Sequence, residues 1–453
     1  MQRNTKIKYM FRRYIILCVI MFSALTAESG KPFRAAWFST VANIDWPSKE
    51  AVGNTQMQQQ EMLSLLDKMQ EEGMTAVVFQ ARPTADALYQ SELEPWSVWL
   101  TGRQGQNNDI PYDPLEMMVR ESHKRGMEIH VWINPYRVTL KDQSIAELSS
   151  DHIFRKHREM FWQYAGQWYF EPGLDETRAW LCRVVADIVR RYDIDAIHMD
   201  DYFYPYPDHK TQLPDAKCFH AHPRGFDNIN DWRRNNVNMA IQELHDTIKS
   251  IKPWVDFGIS PFGIWRNLSS DSVYGSATSG LQNYDELYAD VRLWMEKGWI
   301  DYVVPQLYWP IGSQAADHRT LAYWWAKNCF QTRLYIGMAP YQLIDPKQLP
   351  TEQYRKKRGS VWAIPNELCR QMRIHDSIPE VKGQVFFSLH HLLDNPLGIL
   401  DSLRKDFPMT NAIYRNPNKG EGALPLLQST PLVVPPFHAA ESDSDGVYRL
   451  TWQ

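Results

Sequence analysis

YDIDAIHMDDYFYP, residues 192–205, holds a short apolar run, 195–200, that follows a segment of helical period, 175–191, and closes on two adjacent carboxylates and two tyrosines, with Tyr206 just beyond. An apolar run of this length after an amphipathic stretch reads as one helix-to-strand passage of a parallel sheet. Asp193 and Asp195 lie at the start of the run and read as its turn, so Asp200, Asp201, Tyr202, Tyr204 and Tyr206 lie at its other end.

Working outward, seven further runs share this build: 34–41, 75–81, 127–134, 255–260, 302–307, 334–338 and 384–389. Helical periodicity recurs between them at 55–72, 114–125, 229–251, 285–297, 318–328 and 365–374. Pro114 after Asp113 is a first-turn signal, and Gly73, Gly126 and Gly298 stand just past helix ends. Strands and helices in strict alternation predict an α/β fold, a (β/α)8 TIM barrel with enlarged βα loops over residues 31–410.

In such a barrel function gathers at the C-terminal ends of the strands. Arg82, Asp86, Tyr89 and Trp96 follow the second strand, and Asn134, Tyr136 and Arg137 the third. Ser260 closes the fifth, and Gln306, Tyr308 and Trp309 close the sixth. With 18 Trp, 22 Tyr and 18 Phe, the chain carries more flat amphipathic rings than its core requires, so some are expected to face a ligand. Sugar rings offer C–H faces to aromatics and hydroxyls to Arg, Asp, Asn and Gln, the mixture found at these positions.

Glycosidic cleavage calls for a group that protonates the leaving oxygen and one that attacks C1 or activates water. Asp200 and Asp201 are the leading supply. Neighbours on a strand point to opposite faces, so both reach one cleft only if the backbone turns between them. A carboxyl hemmed in by Tyr202, Tyr204 and a like charge would have a raised pKa, as a general acid needs near neutrality. The plainer alternative is a structural turn or ion-pair hub. Asp86 is the candidate second carboxylate, with capping of a short helix in that loop as its alternative. Arg82 and Arg137 would hold a substrate carboxylate or steady Asp201. His198 is expected to fill the barrel interior, and His390 and His391 to be either ligand contacts or core partners.

Other classes are excluded. The formal charge of −4, from 49 basic and 53 acidic residues without long runs of one sign, gives no footprint for nucleic acid. There is no metal-ligand spacing, no P-loop and no G-x-G-x-x-G, so neither metal nor cofactor is expected. Lys6, Lys8, Arg12 and Arg13 ahead of an apolar run at 14–25 make residues 1–27 a signal peptide and place the product in the periplasm or outside the cell. Leu17 before Cys18 argues against a lipid anchor. Cys182, Cys218, Cys329 and Cys369 lack metal or redox spacing and read as buried free thiols. Residues 411–429 read as a linker. Residues 430–453 resemble the opening two strands of a fibronectin type III sandwich, an incomplete remnant because such a sandwich needs about seven. Removing residue 430 onward is expected to leave the barrel's melting unchanged.

Eight blocks taken in order carry a wider resemblance: RAAWFSTVANIDWPS (34–48), VVFQARPTADALYQSELEPWS (77–97), HVWINPYRV (130–138), EPGLDETR (171–178), the opening block (192–205), WRRNNVN (232–238), GISPFGIWRN (258–267) and YADVRLWMEKGWIDYVVPQLYWPIG (288–312). Over residues 33–407 they resemble glycosyl-hydrolase-like family 10. The resemblance implies a TIM-barrel glycoside hydrolase of the cell envelope; a divisome-localised member of that family cleaves peptidoglycan strands stripped of stem peptides. It places the family's paired Asp on Asp200 and Asp201 and its mouth positions on Arg82, Asp86, Asn134, Tyr136, Arg137, Gln306 and Tyr308. The lipobox of many members is missing here. Chitinase-type barrels carry D-G-x-D-x-D-x-E; here Asp195 and Asp200 fit, but His198 replaces an Asp and Tyr202 stands at the acid's position.

The sequence thus predicts an exported glycosidase acting on β-linked, N-acetylated glycan, with denuded peptidoglycan as its polysaccharide partner, peripheral association with the envelope, Asp201 as general acid and Asp200 as its electrostatic partner. The alternatives are a hydrolase of dietary or capsular polysaccharide and a non-catalytic glycan-binding barrel.

Overall fold

The computed structural model describes residues 33–106, 110–208, 210–345, 351–352 and 360–408. The expected signal peptide with Cys18, the linker and the fibronectin-like remnant lie outside the described residues.

Eight strands close into a parallel barrel: β1 (Phe33–Phe38), β2 (Ala76–Arg82), β3 (Glu128–Ile133), β6 (Ala196–Met199), β7 (Asp256–Ile259), β8 (Tyr302–Val303), β9 (Arg333–Met338) and β10 (Val381–Phe386), with β10 pairing back to β1. β4 (Phe161–Tyr164) and β5 (Gln167–Phe170) form a separate antiparallel hairpin. Outside the barrel run α1 (Thr55–Glu71), α2 (Pro114–Lys124), α3 (Asp175–Arg191), α4 (Ile229–Ile251), α5 (Val291–Glu296), α6 (His318–Asn328), α7 (Glu367–Asp376) and α8 (Ile399–Asp406). Each of the eight expected strands is present, and the fold is the (β/α)8 barrel with long βα loops.

Alternation along the strands splits the apolar residues into two layers. Phe33, Ala35, Trp37, Val78, Trp132, Ala196, Tyr302 and Tyr335 fill the barrel. Phe38, Val77, Ile129, Val131, Ile197, Ile259 and Ile336 pack outward against the helices. Gly258 is needed for close approach: a Cβ there would lie 1.9 Å from Cζ of Tyr302, whose ring crosses the interior at that level.

That interior also carries a polar chain whose direction follows from its first donor. The indole Nε1 of Trp37 can only donate, and it meets Nε2 of His198 at 3.1 Å. His198 is buried and held neutral, its pKa well below the usual value, so its proton sits on Nδ1, 3.0 Å from the Tyr302 hydroxyl. Tyr302 then donates to Nδ1 of His130 at 2.9 Å, and Nε2 of His130 faces Glu128 at 3.2 Å. His198 therefore fills the interior, as its sequence position suggested.

Two local readings need correction. The expected helix 285–297 is broken into Asn283–Glu286 and α5, because Tyr288 adopts φ +53° and Asp290 caps the second piece by accepting from the amide of Leu293. The hairpin β4–β5 was missed. Its sequence signal is two aromatic-rich runs joined by Ala165-Gly166, both at positive φ (49° and 87°), the requirement of a tight two-residue hairpin turn. Cys182 and Cys218 are half-buried, Cys329 and Cys369 buried, and all four are free thiols.

Candidate active site

The alternation of β6 carries one residue past its end, so Asp200 faces into the barrel as Ala196 and His198 do. Trp132, inward on β3, donates its indole N–H to Asp200 at 2.9 Å, and Asn134 donates through Nδ2 at 3.2 Å. Asn134 is itself oriented by the amide of Arg137, which donates to its Oδ1 at 2.8 Å. The Asp200 carboxylate also accepts from the amide of Tyr202 at 3.1 Å, an Asx-type turn that bends the chain directly after the strand. Because of that bend Asp201 does not face the helices. It accepts from the Tyr206 hydroxyl and from the side chain of Gln306, whose Nε2 also donates to the Ser260 carbonyl at 2.9 Å.

Both carboxylates are 3% exposed. Burial and then the neighbouring charge of Asp200 push Asp201 up to about 7, against the hydrogen bonds from Tyr206 and Gln306 that favour its ionised form. Burial also raises Asp200, while the Arg137 guanidinium and the donors from Trp132, Tyr202 and Asn134 pull the other way. Arg137 donates to the Pro83 carbonyl at 3.1 and 3.2 Å, and its guanidinium lies 5.2 Å from the ring centre of Tyr202.

Aromatic side chains rim this doublet. Tyr202 is 39% exposed, and its ring lies 5.6 Å from that of Tyr206. Tyr206 meets Phe262 edge-on at 6.2 Å, and Phe262 meets Trp309 edge-on at 5.3 Å. Tyr308 stacks on Phe387 at 6.2 Å and stands edge-on to Tyr341 at 5.8 Å. Partly exposed rings beside buried acids combine the apolar platforms and polar groups of a ligand site.

Of the expected contacts, Asp200, Asp201, Asn134, Arg137, Tyr202, Ser260, Gln306, Tyr308 and Trp309 come together at this mouth. Five others lie beneath it. Arg82 is fully buried, bonded through Nε and Nη2 to Glu94 at 2.6 Å each, and it donates through Nη1 to the Asn134 carbonyl at 2.5 Å. It braces the loop that carries Asn134, with no exposed surface for a ligand. Asp86 is also fully buried and clasps its own loop, accepting from the Thr84 amide at 3.1 Å and hydroxyl at 3.0 Å and from Gln104 at 3.4 Å. The expectation of Asp86 as a second carboxylate in the cleft is therefore corrected: it holds its own loop together through Thr84 and Gln104. Tyr89 is packed edge-on against Tyr192, Tyr136 is 1% exposed, and Tyr204 is sealed under Tyr288 with Asn236 donating to its hydroxyl at 3.0 Å. Trp96 is half-buried, bridged to Ala87.

Sequence reasoning missed Asp45, Tyr341, Phe387 and Ser388. Asp45 reaches the mouth only through partners some 343 residues away, a pairing no local pattern records. His390, read as either ligand contact or core partner, is 36% exposed and belongs to the mouth.

The family model described as Glycosyl hydrolase-like 10 matches residues 32–356. Glycosyl hydrolase YngK of Bacillus subtilis (strain 168) is 42% identical over 423 residues, covering 93% of this chain and 79% of that protein. Glycosyl hydrolase DigH of Escherichia coli (strain K12) is 39% identical over 388 residues, covering 82% of this chain and 85% of that one. Among solved structures, the glycoside hydrolase domain of PgaB (BpsB) from Bordetella bronchiseptica is similar with a TM-score of 0.50 at 11% identity, covering 84% of this chain and 99% of that chain, a likeness of fold.

Proposed function

The chain belongs to the glycosyl hydrolase-like 10 family, and from that premise we propose that it is an exported glycoside hydrolase cleaving β-linked, N-acetylated glycan of the cell envelope, with peptidoglycan strands lacking stem peptides as substrate. The observation that carries this reading is the Asp200–Asp201 doublet, turned so that both carboxylates serve one aromatic-rimmed mouth, with Asp201 raised to about 7. A carboxyl with that pKa is largely protonated at mildly acidic pH and able to give its proton to a leaving glycosidic oxygen. The family resemblance and the relatives named as glycosyl hydrolases support the reaction class; the N-terminal basic and apolar segments support export.

Both carboxylates come from one loop. A mechanism with an enzyme nucleophile or an activated water places its second carboxylate across the scissile bond, ~5–9.5 Å from the first. On the opposite wall Asp45 is 1% exposed and already accepts four hydrogen bonds, which disqualifies it. The arrangement favours the substrate's own acetamido oxygen as nucleophile. In that course the acetamido oxygen bonds to C1, the glycosidic C–O bond breaks, and Asp201 protonates the departing oxygen. Asp200 steadies the acetamido N–H as positive charge develops on the ring. Water then adds at C1 as the bond from C1 to the acetamido oxygen breaks, and the water loses its proton to Asp201.

A doublet on one wall is also what a non-hydrolytic glycan-binding barrel would present. Amidase-treated glycan strands, intact sacculi and a panel of other polysaccharides, each incubated with the protein and read by mass spectrometry, separate the readings. New reducing ends from the amidase-treated strands are expected. Fragments from the panel alone would move the substrate to another polysaccharide, and binding without fragments anywhere would make the barrel a glycan-binding module.

A further inference from the structure

In the ring of eight strands β10 lies four positions from β6, diametrically across the mouth from the acidic doublet. The loops after β1 and β10 build a second polar cluster there. Asp45 accepts at Oδ2 from the amide of Ser39 at 2.7 Å. Its Oδ1 takes the Ser388 hydroxyl at 2.8 Å, the His390 amide at 2.8 Å and Nδ1 of His390 at 2.7 Å. Asp45 is therefore satisfied on its buried side, and the His390 ring is fixed with Nδ1 toward it and with Nε2 taking no hydrogen bond among the described residues.

The two walls are joined by a run of aromatic rings. His391 lies 3.8 Å from His390 between ring centres, Tyr341 lies 5.9 Å from His391, and Tyr308 adjoins both Tyr341 and Phe387. Burial, and after it the neighbouring Tyr341 and Asp201 charges, raise the Tyr308 phenol, so Tyr308 stands within electrostatic reach of Asp201. A sugar chain lying in the mouth would thus meet Asp201 on one side and His390 on the other. The bond to Asp45 raises His390 above the usual histidine value, whereas burial and the neighbouring His390 lower His391, so the pair takes its proton on His390.

The geometry points to His390, clamped by Asp45 and Ser388, as a subsite for an acidic substituent of the glycan, a carboxylate borne on the sugar such as the lactyl group that muramic acid exposes once its peptide is removed. A doubly protonated imidazole has two donors and no acceptor, so with Nδ1 committed to Asp45 its exposed Nε2–H can meet only an acceptor, and an anion most strongly. A relay from Ser388 through His390 to Asp45 does not fit: Ser388 is fully buried and lies on the same Nδ1 edge of His390 as Asp45, where it cannot be that ring's second partner. The inference rests on the proposed glycan substrate and deepens it. An amide-linked stem peptide abolishes the substituent's charge and adds bulk, so one imidazole would select stripped strands over peptide-bearing ones.

The test measures binding, which keeps it apart from turnover. In an Asp201→Asn background, tryptophan fluorescence follows titration with amidase-treated strands and with the same strands after methyl esterification of their lactyl carboxylates. The free-carboxylate form is expected to bind about tenfold more tightly, the size of one charge-assisted hydrogen bond. His390→Gln should bring that ratio to about one, and His390→Lys should restore part of it; circular dichroism on each variant establishes that it is folded. Strands that bind with equal affinity in both forms, or a ratio that survives in folded His390→Gln, would overturn the subsite while leaving the glycan reading in place. No binding of either form would overturn both. If His390→Gln fails to fold, the ratio in His390→Lys and in Asp45→Asn decides, a full ratio in both arguing against the clamp.

Discussion

Asp200 and Asp201 are consecutive in the chain, yet their carboxylates take hydrogen bonds from opposite flanks of the mouth: Asp200 from Trp132 and Asn134 on the β3 side, Asp201 from Tyr206 and from Gln306 beyond β8. The two acids therefore do different work. One is held within a cradle of donors against the barrel interior, and the other is raised by burial and by its neighbour.

Asp201→Asn should lower turnover by about 100-fold or more while glycan binding stays near normal, since an amide cannot replace a general acid but keeps its size and polarity. Initial rates on amidase-treated strands and a binding titration on the same strands measure the two halves. Unchanged turnover would remove Asp201 from the mechanism.

The pH dependence follows from the same group. Protonated Asp201 is the competent acid, so kcat/KM should fall on the alkaline side near pH 7, where its raised pKa lies. Asp200→Asn removes the neighbouring charge that helps raise Asp201, so the alkaline limb should move to lower pH as well as the rate dropping. A limb that stays in place would mean that the limb reports another group.

Stability should respond with the opposite sign to that of an ion-paired carboxylate. Asp201 has a folded pKa raised to about 7 from an ordinary 3.8, so folding favours its protonated form. Its contribution is fully present below 3.8 and is lost as pH rises through about 7. Asp201→Asn escapes this loss, and its melting temperature relative to the unsubstituted protein should rise between pH 5 and pH 8. Calorimetry at the two pH values checks the direction.

Arg82 and Glu94 are completely buried and bonded to each other through two nitrogens and two oxygens. Arg82→Met would strand the Glu94 carboxylate and free the Asn134 carbonyl, at a cost of about 3–5 kcal/mol in stability. Denaturant unfolding measures it. The double change Arg82→Met with Glu94→Leu should recover much of the loss, which a direct role of Arg82 in the cleft would not allow for activity.

Tyr302→Phe removes the hydroxyl that joins His130 to His198, leaving both Nδ1 atoms without their shared partner in the barrel interior. A loss of about 1–3 kcal/mol is expected for the stranded polar groups. A neutral result in urea unfolding would mean that water enters the barrel to replace the hydroxyl.

Eight apolar runs spaced by helix-period segments were enough to settle the barrel, its strand ends and the position of the acidic doublet, because burial on one side of a helix and on both sides of a strand writes a period into neighbouring residues. The doublet's setting was not legible. Whether Asp201 looked into the mouth or into the helix layer depended on a turn closed by the Tyr202 amide, and its pKa depended on burial and on the Asp200 charge, opposed by hydrogen bonds from Tyr206 and from Gln306 on a separate loop. Arg82 and Asp86 sat in the right segment with the right chemistry, yet the Glu94 and Thr84 partners that bury them could not be distinguished from a ligand by residue type alone. Asp45 and His390 meet across 345 positions and leave no local trace. Periodicity is a property of adjacent residues, so the chain alone determined the architecture; which polar groups face the cleft is set by contacts between loops that only the closed barrel brings together.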